Sequence, residues 1–219
     1  SSIYVTLAMI SAGFVVIPIS IGIARYRVFF SHHKAILFLL LISLCLDIGT
    51  SPFWERQLNT AVVFRIYTLL EFAFLSFYFT KIFNRKVVEL TIKVVLLFFC
   101  LITIIDAIFQ GVMSMDNYAM AIESIIFILY SVFSRFLLIR EATYQNILGA
   151  SRFWIIVAIL IYFAGNLLVF VFSNYLLRES PDVFNDLWGI NSVLNIVFYS
   201  LIAIGFWKIK ARAKYDPSF

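Results

Sequence analysis

The segment Val62–Thr80, VVFRIYTLLEFAFLSFYFT, is apolar over almost its whole length, yet it carries two charged side chains, Arg65 and Glu71. As an α-helix it would be about 28 Å long, close to the ~30 Å thickness of the hydrocarbon core of a bilayer. The segment therefore predicts a membrane-spanning helix. Its two charges need an explanation, because an ionisable group inside the bilayer costs at least about 2.5–3.5 kcal/mol.

The same apolar character extends through the rest of the chain. Of its 219 residues, 63% are hydrophobic and 13% are charged, whereas soluble domains are about 45–50% apolar and about 25% charged. This composition predicts a polytopic membrane protein. The net charge of +5 comes from basic residues at the ends of apolar segments, so it indicates orientation in the membrane and not nucleic-acid binding.

Apolar runs long enough to cross a bilayer occur seven times, joined by short polar connections. We therefore expect an all-α fold with one seven-helix transmembrane domain over residues 1–219, and no connection has room for a separate catalytic domain. Pro18 is inside the first run and should kink it, because proline removes a backbone donor. The predicted spans lie at roughly 3–24, 35–54, 60–82, 88–109, 117–138, 153–176 and 188–207.

The distribution of basic residues predicts how these spans are oriented. Most lysines and arginines fall on one side of the membrane, and the other side holds only Arg56, Arg65 and Arg178 among several acids. The positive-inside rule then places the N-terminus outside and the C-terminus in the cytoplasm. We expect a multi-pass protein of a bacterial cytoplasmic membrane. Four tryptophans near span ends are typical of an aromatic belt: Trp54, Trp154, Trp188 and Trp207.

Five spans place a carboxyl or carboxamide group at a similar depth. Each of these groups lies ten to fourteen residues from the basic residue at the cytoplasmic end of its span, which corresponds to about 15–21 Å along a helix. Groups of this kind should face the interior of the bundle and find partners there. The residues of this polar layer are Asp47, Glu71, Glu123, Asn166 and Asn195.

Helical spacing adds further residues to this layer. Asn191 and Asn195 are four residues apart and share a helix face, as do Tyr162 and Asn166. Arg65 is about 120° around the helix from Glu71, so we expect it to pair with a carboxylate on another helix, Glu123 or Asp47. We predict a ligand-binding cavity in the outer half of the bundle, although buried amides often only hold helices together. The predicted ligand-binding residues are Asp47, Arg65, Glu71, Glu123, Tyr162, Asn166, Asn191 and Asn195.

Sharper functional classes lack their required residues. A retinal protein needs a lysine deep in the last span, where only Lys208 occurs, at the cytoplasmic end. An intramembrane zinc hydrolase needs several histidines, whereas His32 and His33 are the only two and are expected to flank their span at the membrane interface. We expect no catalytic residue, no metal and no cofactor. Sugar transporters of similar topology hinge at prolines in both halves, and here only Pro18 qualifies.

The segments YFAGNLLVFVFSNYLL (162–177) and LWGINSVLNIVFYSLIAIGFW (187–207) resemble small uncharacterised seven-helix bacterial integral membrane proteins. The resemblance extends over the whole length. Such proteins are associated with neighbouring two-component histidine kinases, so the resemblance implies a sensory or accessory role.

Three functions stay open at this point. The first is a receptor-like or sensory subunit that binds a small polar or amphipathic ligand and signals through a cytoplasmic or membrane protein partner. The second is an accessory or structural subunit of a larger membrane complex, in which the polar layer contacts a partner or membrane lipid. The third is a small-solute or proton-coupled transporter that uses Asp47, Glu71 and Glu123.

Overall fold

The computed structural model describes residues 2–55, 60–111, 117–141, 147–179 and 181–209. Within these ranges the chain is helical, with short 3₁₀ turns at Tyr26–Val28 and Ile147–Gly149 and no β-strand. The α-helices, numbered in chain order, are α1 (Ser2–Phe14), α2 (Val16–Ala24), α3 (Ser31–Glu55), α4 (Ala61–Phe83), α5 (Lys86–Gln110), α6 (Asn117–Glu141), α7 (Ser151–Glu179) and α8 (Pro181–Trp207).

Six of these helices, α3 to α8, are long and apolar enough to cross a bilayer. The fold is therefore that of a polytopic helical membrane protein. The helices extend past the apolar stretches: α7 ends at Glu179 and α8 begins at Pro181, so both run into the polar connection predicted between them. Proline suits the first position of a helix, where its missing N–H would have no partner.

The first predicted span, 3–24, consists of two helices, and neither is long enough alone to cross a bilayer. The break lies at Val15, one turn before Pro18. Proline has no N–H for the carbonyl four residues earlier, here that of Phe14, and its ring clashes with that carbonyl. The helix is thus interrupted near Pro18, and the kink itself stays a prediction. Both α1 and α2 pack against α8.

The helices form a ring. α8 packs against α7, α7 against α6, α6 against α4, α4 against α3, and α3 against α2, which returns to α8. α5 packs against α4 and α6 and is the least buried of the six long helices. Side chains from five helices of the ring consequently meet along its axis.

Aromatic side chains fill one side of the ring. Phe72 on α4 stacks on Phe99 of α5 with ring centroids 3.9 Å apart, and lies 5.0 Å from Phe127 of α6. Phe127 in turn lies 5.1 Å from Phe163 of α7. These rings are buried, and they hold four helices at fixed separations through large apolar contacts.

Glycine brings α7 and α8 close together. A Cβ atom added to Gly165 of α7 would lie 2.7 Å from two side-chain carbons of Leu194 on α8. At the other end of the pair, one added to Gly205 of α8 would lie 2.8 Å from Ile155 of α7. Small residues at such close contacts are typical of membrane helices.

Candidate functional site

A group of buried and half-buried polar side chains lies where α3, α4, α6, α7 and α8 meet, and we call it the central polar cluster. It has two connected parts, one made mainly of amides and one of tyrosines and carboxylates. Its members are Ser43, Tyr67, Glu71, Glu123, Tyr162, Asn166, Asn191, Asn195 and Tyr199.

The amide part is a row of three asparagines. Asn195 donates to the Oδ1 of Asn191 at 3.1 Å, and Asn191 donates to the Oδ1 of Asn166 at 3.0 Å. Asn191 also hydrogen-bonds with Tyr162. At the end of the row, the Nδ2 of Asn166 is buried and has no hydrogen-bond partner within the described residues. A buried donor without a partner costs about 1–3 kcal/mol.

The second part connects α3, α4 and α8 through hydroxyl groups. Tyr67 hydrogen-bonds to the Glu71 carboxylate one turn later on α4, and also interacts with Ser43 on α3. The Ser43 hydroxyl lies 3.5 Å from that of Tyr199 on α8. Glu71 is buried, so this carboxylate sits in an apolar bundle with a neutral phenol as its donor.

Tyr162 joins the two parts. It lies close enough to Glu71, Glu123 and Tyr199 to interact electrostatically with each of them, and it hydrogen-bonds with Asn191. Glu123 on α6 is buried. The prediction that carboxylates and amides from separate spans face the bundle interior is therefore confirmed for Glu71, Glu123, Asn166 and Asn191.

Two predicted site residues lie apart from this arrangement. Arg65 donates to Asp106 of α5 at 3.3 Å and to the Thr103 carbonyl at 3.1 Å. Its predicted pairing with a carboxylate on another helix is confirmed, but the carboxylate found is Asp106 and not one of the two we named. Asp47 on α3 is exposed and interacts electrostatically with Tyr199, which places it at the edge of the cluster.

Three hydroxyl residues of the cluster are absent from the predicted set: Ser43, Tyr67 and Tyr199. Each lies four residues from a predicted polar residue on the same helix face, namely Asp47, Glu71 and Asn195. The signal that grouped the asparagines was therefore present for these residues as well.

His32 and His33 are buried within the protein, with 8% and 3% of their surfaces exposed. Both lie in the first turn of α3, which begins at Ser31, and both pack under neighbouring helices. Their place at the membrane interface stays a prediction. Within the described residues, no three His, Cys, Asp or Glu side chains come together as a metal site.

No family model, curated protein or solved structure matches this chain. The geometry of the central polar cluster is therefore the basis for assigning a function.

Proposed function

We propose that the chain is a receptor-like or sensory membrane subunit that binds a small polar or amphipathic ligand in the central polar cluster. The observation that carries this proposal is the row of asparagines that ends in the partnerless Nδ2 of Asn166, a few side chains from a buried carboxylate. A ligand with a hydrogen-bond acceptor would satisfy Asn166, and a donor or cationic group on the same molecule would satisfy Glu71.

A purely structural role explains this arrangement less well. Polar groups that only hold helices together satisfy one another and contribute about 0.6 kcal/mol per contact in membranes. Here the row leaves a donor without an acceptor, and the carboxylate of Glu71 adds a desolvation cost that helix association does not need. Apolar walls suited to an amphipathic ligand come from Phe163 and Phe198, whose ring centroids lie 5.1 and 5.0 Å from that of Tyr162.

We further propose that the chain crosses the membrane seven times, with α1 and α2 together making the first crossing. The two helices extend over residues 2–24, about 34 Å at helical rise, which is enough to cross a bilayer. The distribution of basic residues then puts the N-terminus outside and the C-terminus in the cytoplasm. In this orientation the central polar cluster lies in the outer half of the membrane, and a cytoplasmic partner would receive the signal at the inner ends of the helices.

The experiment is native mass spectrometry of the protein extracted gently from its own membrane. We expect a reproducible small extra mass on the wild type. It should be lost in Glu71→Gln, which keeps an acceptor for Tyr67 but removes the charge, and in Asn166→Leu, which removes the free donor. Thr91→Val is the matched control, because the Thr91 hydroxyl is exposed and bonds only within its own helix, at 3.0 Å to Val87.

Other outcomes would favour the alternative functions. A second polypeptide in place of the small mass would make the cluster an interface of an accessory subunit. Solute flux into liposomes that is abolished by Glu71→Gln would indicate a transporter. An extra mass that persists in both cluster variants would contradict binding at this site.

A further inference from the structure

A second group of buried polar side chains lies at the opposite end of α4 from Arg65, and we call it the histidine cluster. It consists of His32 and His33 at the start of α3, Tyr78 near the end of α4, and Ser151 at the start of α7. The two imidazole rings have centroids 4.1 Å apart, and His32 lies edge-on to the Tyr78 ring at 5.8 Å. Ser151 Oγ lies 3.5 Å from His33 Nε2.

Three polar atoms in this cluster are buried without a hydrogen-bond partner in the described part of the chain. They are Nε2 of His32, Nδ1 of His33 and the Tyr78 hydroxyl. The three residues are more than nine-tenths buried. The Tyr78 hydroxyl can donate, and each neutral imidazole carries an N–H on one of its two nitrogens. A group with acceptor oxygens placed here would supply partners that these atoms lack.

The surroundings of these donors are electropositive. The charged residues that act on the two rings are Arg152 of α7 and Lys81 of α4, and Arg152 also acts on Tyr78. Both cations are exposed, at the rim of the buried group. The N-termini of α3 and α7 meet here, because His33 and Ser151 are in contact. The first turn of each helix adds free N–H groups and a partial positive charge.

We propose that the histidine cluster binds a phosphate group, carried either by a lipid headgroup or by free inorganic phosphate. Helix N-termini and arginine are groups that recognise phosphate, and a neutral imidazole can add an N–H donor. A phosphate offers more acceptor oxygens than a carboxylate does, which matches two imidazoles, a phenol and two helix N-termini. The apolar stretches of α3 and α7 begin at Ser31 and Ser151. The cluster lies at these first residues, where lipid headgroups would be found.

This site is separate from the central polar cluster. Tyr78 follows Glu71 by two helical turns on α4, about 10 Å along the helix axis. The proposal therefore does not depend on the function proposed above.

The test uses the full chain purified in neutral detergent. Native mass spectrometry with added phosphatidic acid or phosphatidylcholine measures lipid binding, and calorimetric titration with sodium phosphate or sodium chloride measures free-anion binding. We expect selective binding of phosphatidic acid over phosphatidylcholine, or of phosphate over chloride. The arm that responds identifies the source of the phosphate.

The deciding variant is Tyr78→Phe, which removes one hydroxyl and keeps the ring packing. We expect it to weaken binding by roughly ten- to a hundredfold, the value of one hydrogen bond to a charged group. Tyr130→Phe is the matched control, because Tyr130 also has a buried hydroxyl without a partner but contacts Phe79, Phe83 and Phe127 instead of the histidines. Its binding should equal that of the wild type.

A second variant, His32→Gln combined with His33→Gln, should also lose selective binding while the protein keeps its melting temperature without ligand to within a few degrees. The proposal is overturned if neither probe binds selectively. It is equally overturned if Tyr78→Phe and Tyr130→Phe bind the responding probe with the same affinity.

Discussion

The Arg65 guanidinium and the Asp106 carboxylate lie 3.3 Å apart, and their side chains are 7% and 6% exposed. Thr103, one helical turn before Asp106, accepts a further hydrogen bond from Arg65 through its carbonyl. The positive charge of Arg65 in α4 is thus balanced by the negative charge of Asp106 in α5. Removal of one partner would leave the other buried and uncompensated.

We expect Arg65→Leu or Asp106→Leu to lower the free energy of unfolding by about 3–5 kcal/mol, the usual cost of a broken buried pair. The double variant Arg65→Leu with Asp106→Leu should recover most of this loss, since no charge is then stranded. The measurement is unfolding of the purified protein in mixed micelles with increasing SDS.

Glu89→Gln provides the matched control for this pair. Glu89 and Lys93 lie 2.7 Å apart on α5 with 42% and 65% of their side chains exposed, and exposed pairs contribute little because solvent screens them. A double variant at Arg65 and Asp106 whose loss equals the sum of the single losses would show that the two charges do not stabilise each other.

At this scale the sequence predicted residue types and helix faces better than partners. Depth along the spans identified Glu71, Asn166 and Asn195, and spacing of four residues added Asn191. Neither could choose Asp106 as the partner of Arg65, because that choice depends on α5 lying against α4. The burial of the histidines was not predicted, because their apolar run begins after them and hydropathy does not show that the helix starts earlier.

The contact between α7 and α8 depends on glycine. Without a side chain at Gly165, the Leu194 side chain can lie directly against the α7 backbone. The same two helices carry Asn166, Asn191 and Asn195, so their separation determines whether the amides are within hydrogen-bonding distance. A change in this separation would therefore affect the central polar cluster.

We expect Gly165→Ala to lower the free energy of unfolding by roughly 1–3 kcal/mol relative to Gly13→Ala, because the new methyl group would overlap with Leu194. Gly13→Ala on α1 is the control: nothing lies within 4 Å of a Cβ at Gly13, and alanine favours a helix by up to about 1 kcal/mol. Thermal unfolding in detergent measures both. If Leu194→Ala does not relieve the effect of Gly165→Ala, the overlap is not its cause.

At the scale of whole helices, six of the seven predicted spans correspond to single helices long and apolar enough to cross a bilayer. The first apolar run forms two helices instead of one, because Pro18 lacks the N–H that would continue the hydrogen bonding. The sequence analysis named this loss of a donor at Pro18. The extra helical length at α3, α7 and α8 was missed because polar residues continue a helix beyond the membrane without any change in apolar pattern.

For the molecule as a whole, the number of membrane crossings depends on whether α1 and α2 together cross the bilayer. We expect that, in a background with Cys45→Ser and Cys100→Ser, a membrane-impermeant maleimide labels Thr6→Cys and Tyr118→Cys in intact cells. Lys86→Cys, at the start of α5, should react only after permeabilisation. Both native cysteines are free thiols, so their removal breaks no disulfide.

If Thr6→Cys reacts only after permeabilisation, the first two helices do not cross and the chain has six crossings. If Lys86→Cys reacts in intact cells, the whole orientation is the reverse of the one proposed. Helix packing could not be read from hydropathy at all, because the closure of the ring depends on contacts between elements far apart in the chain, such as α2 and α8.

The row of three asparagines has a direction. Each amide donates to the next, so no single one can turn over without setting donor against donor or oxygen against oxygen. The row can therefore reverse only as a unit, so its hydrogen bonds have two possible directions between Asn166 and Asn195. A molecule that offers an acceptor to Asn166 keeps the present polarity, and one that offers a donor selects the opposite polarity, so the same three side chains would report to α8 which kind of group had arrived.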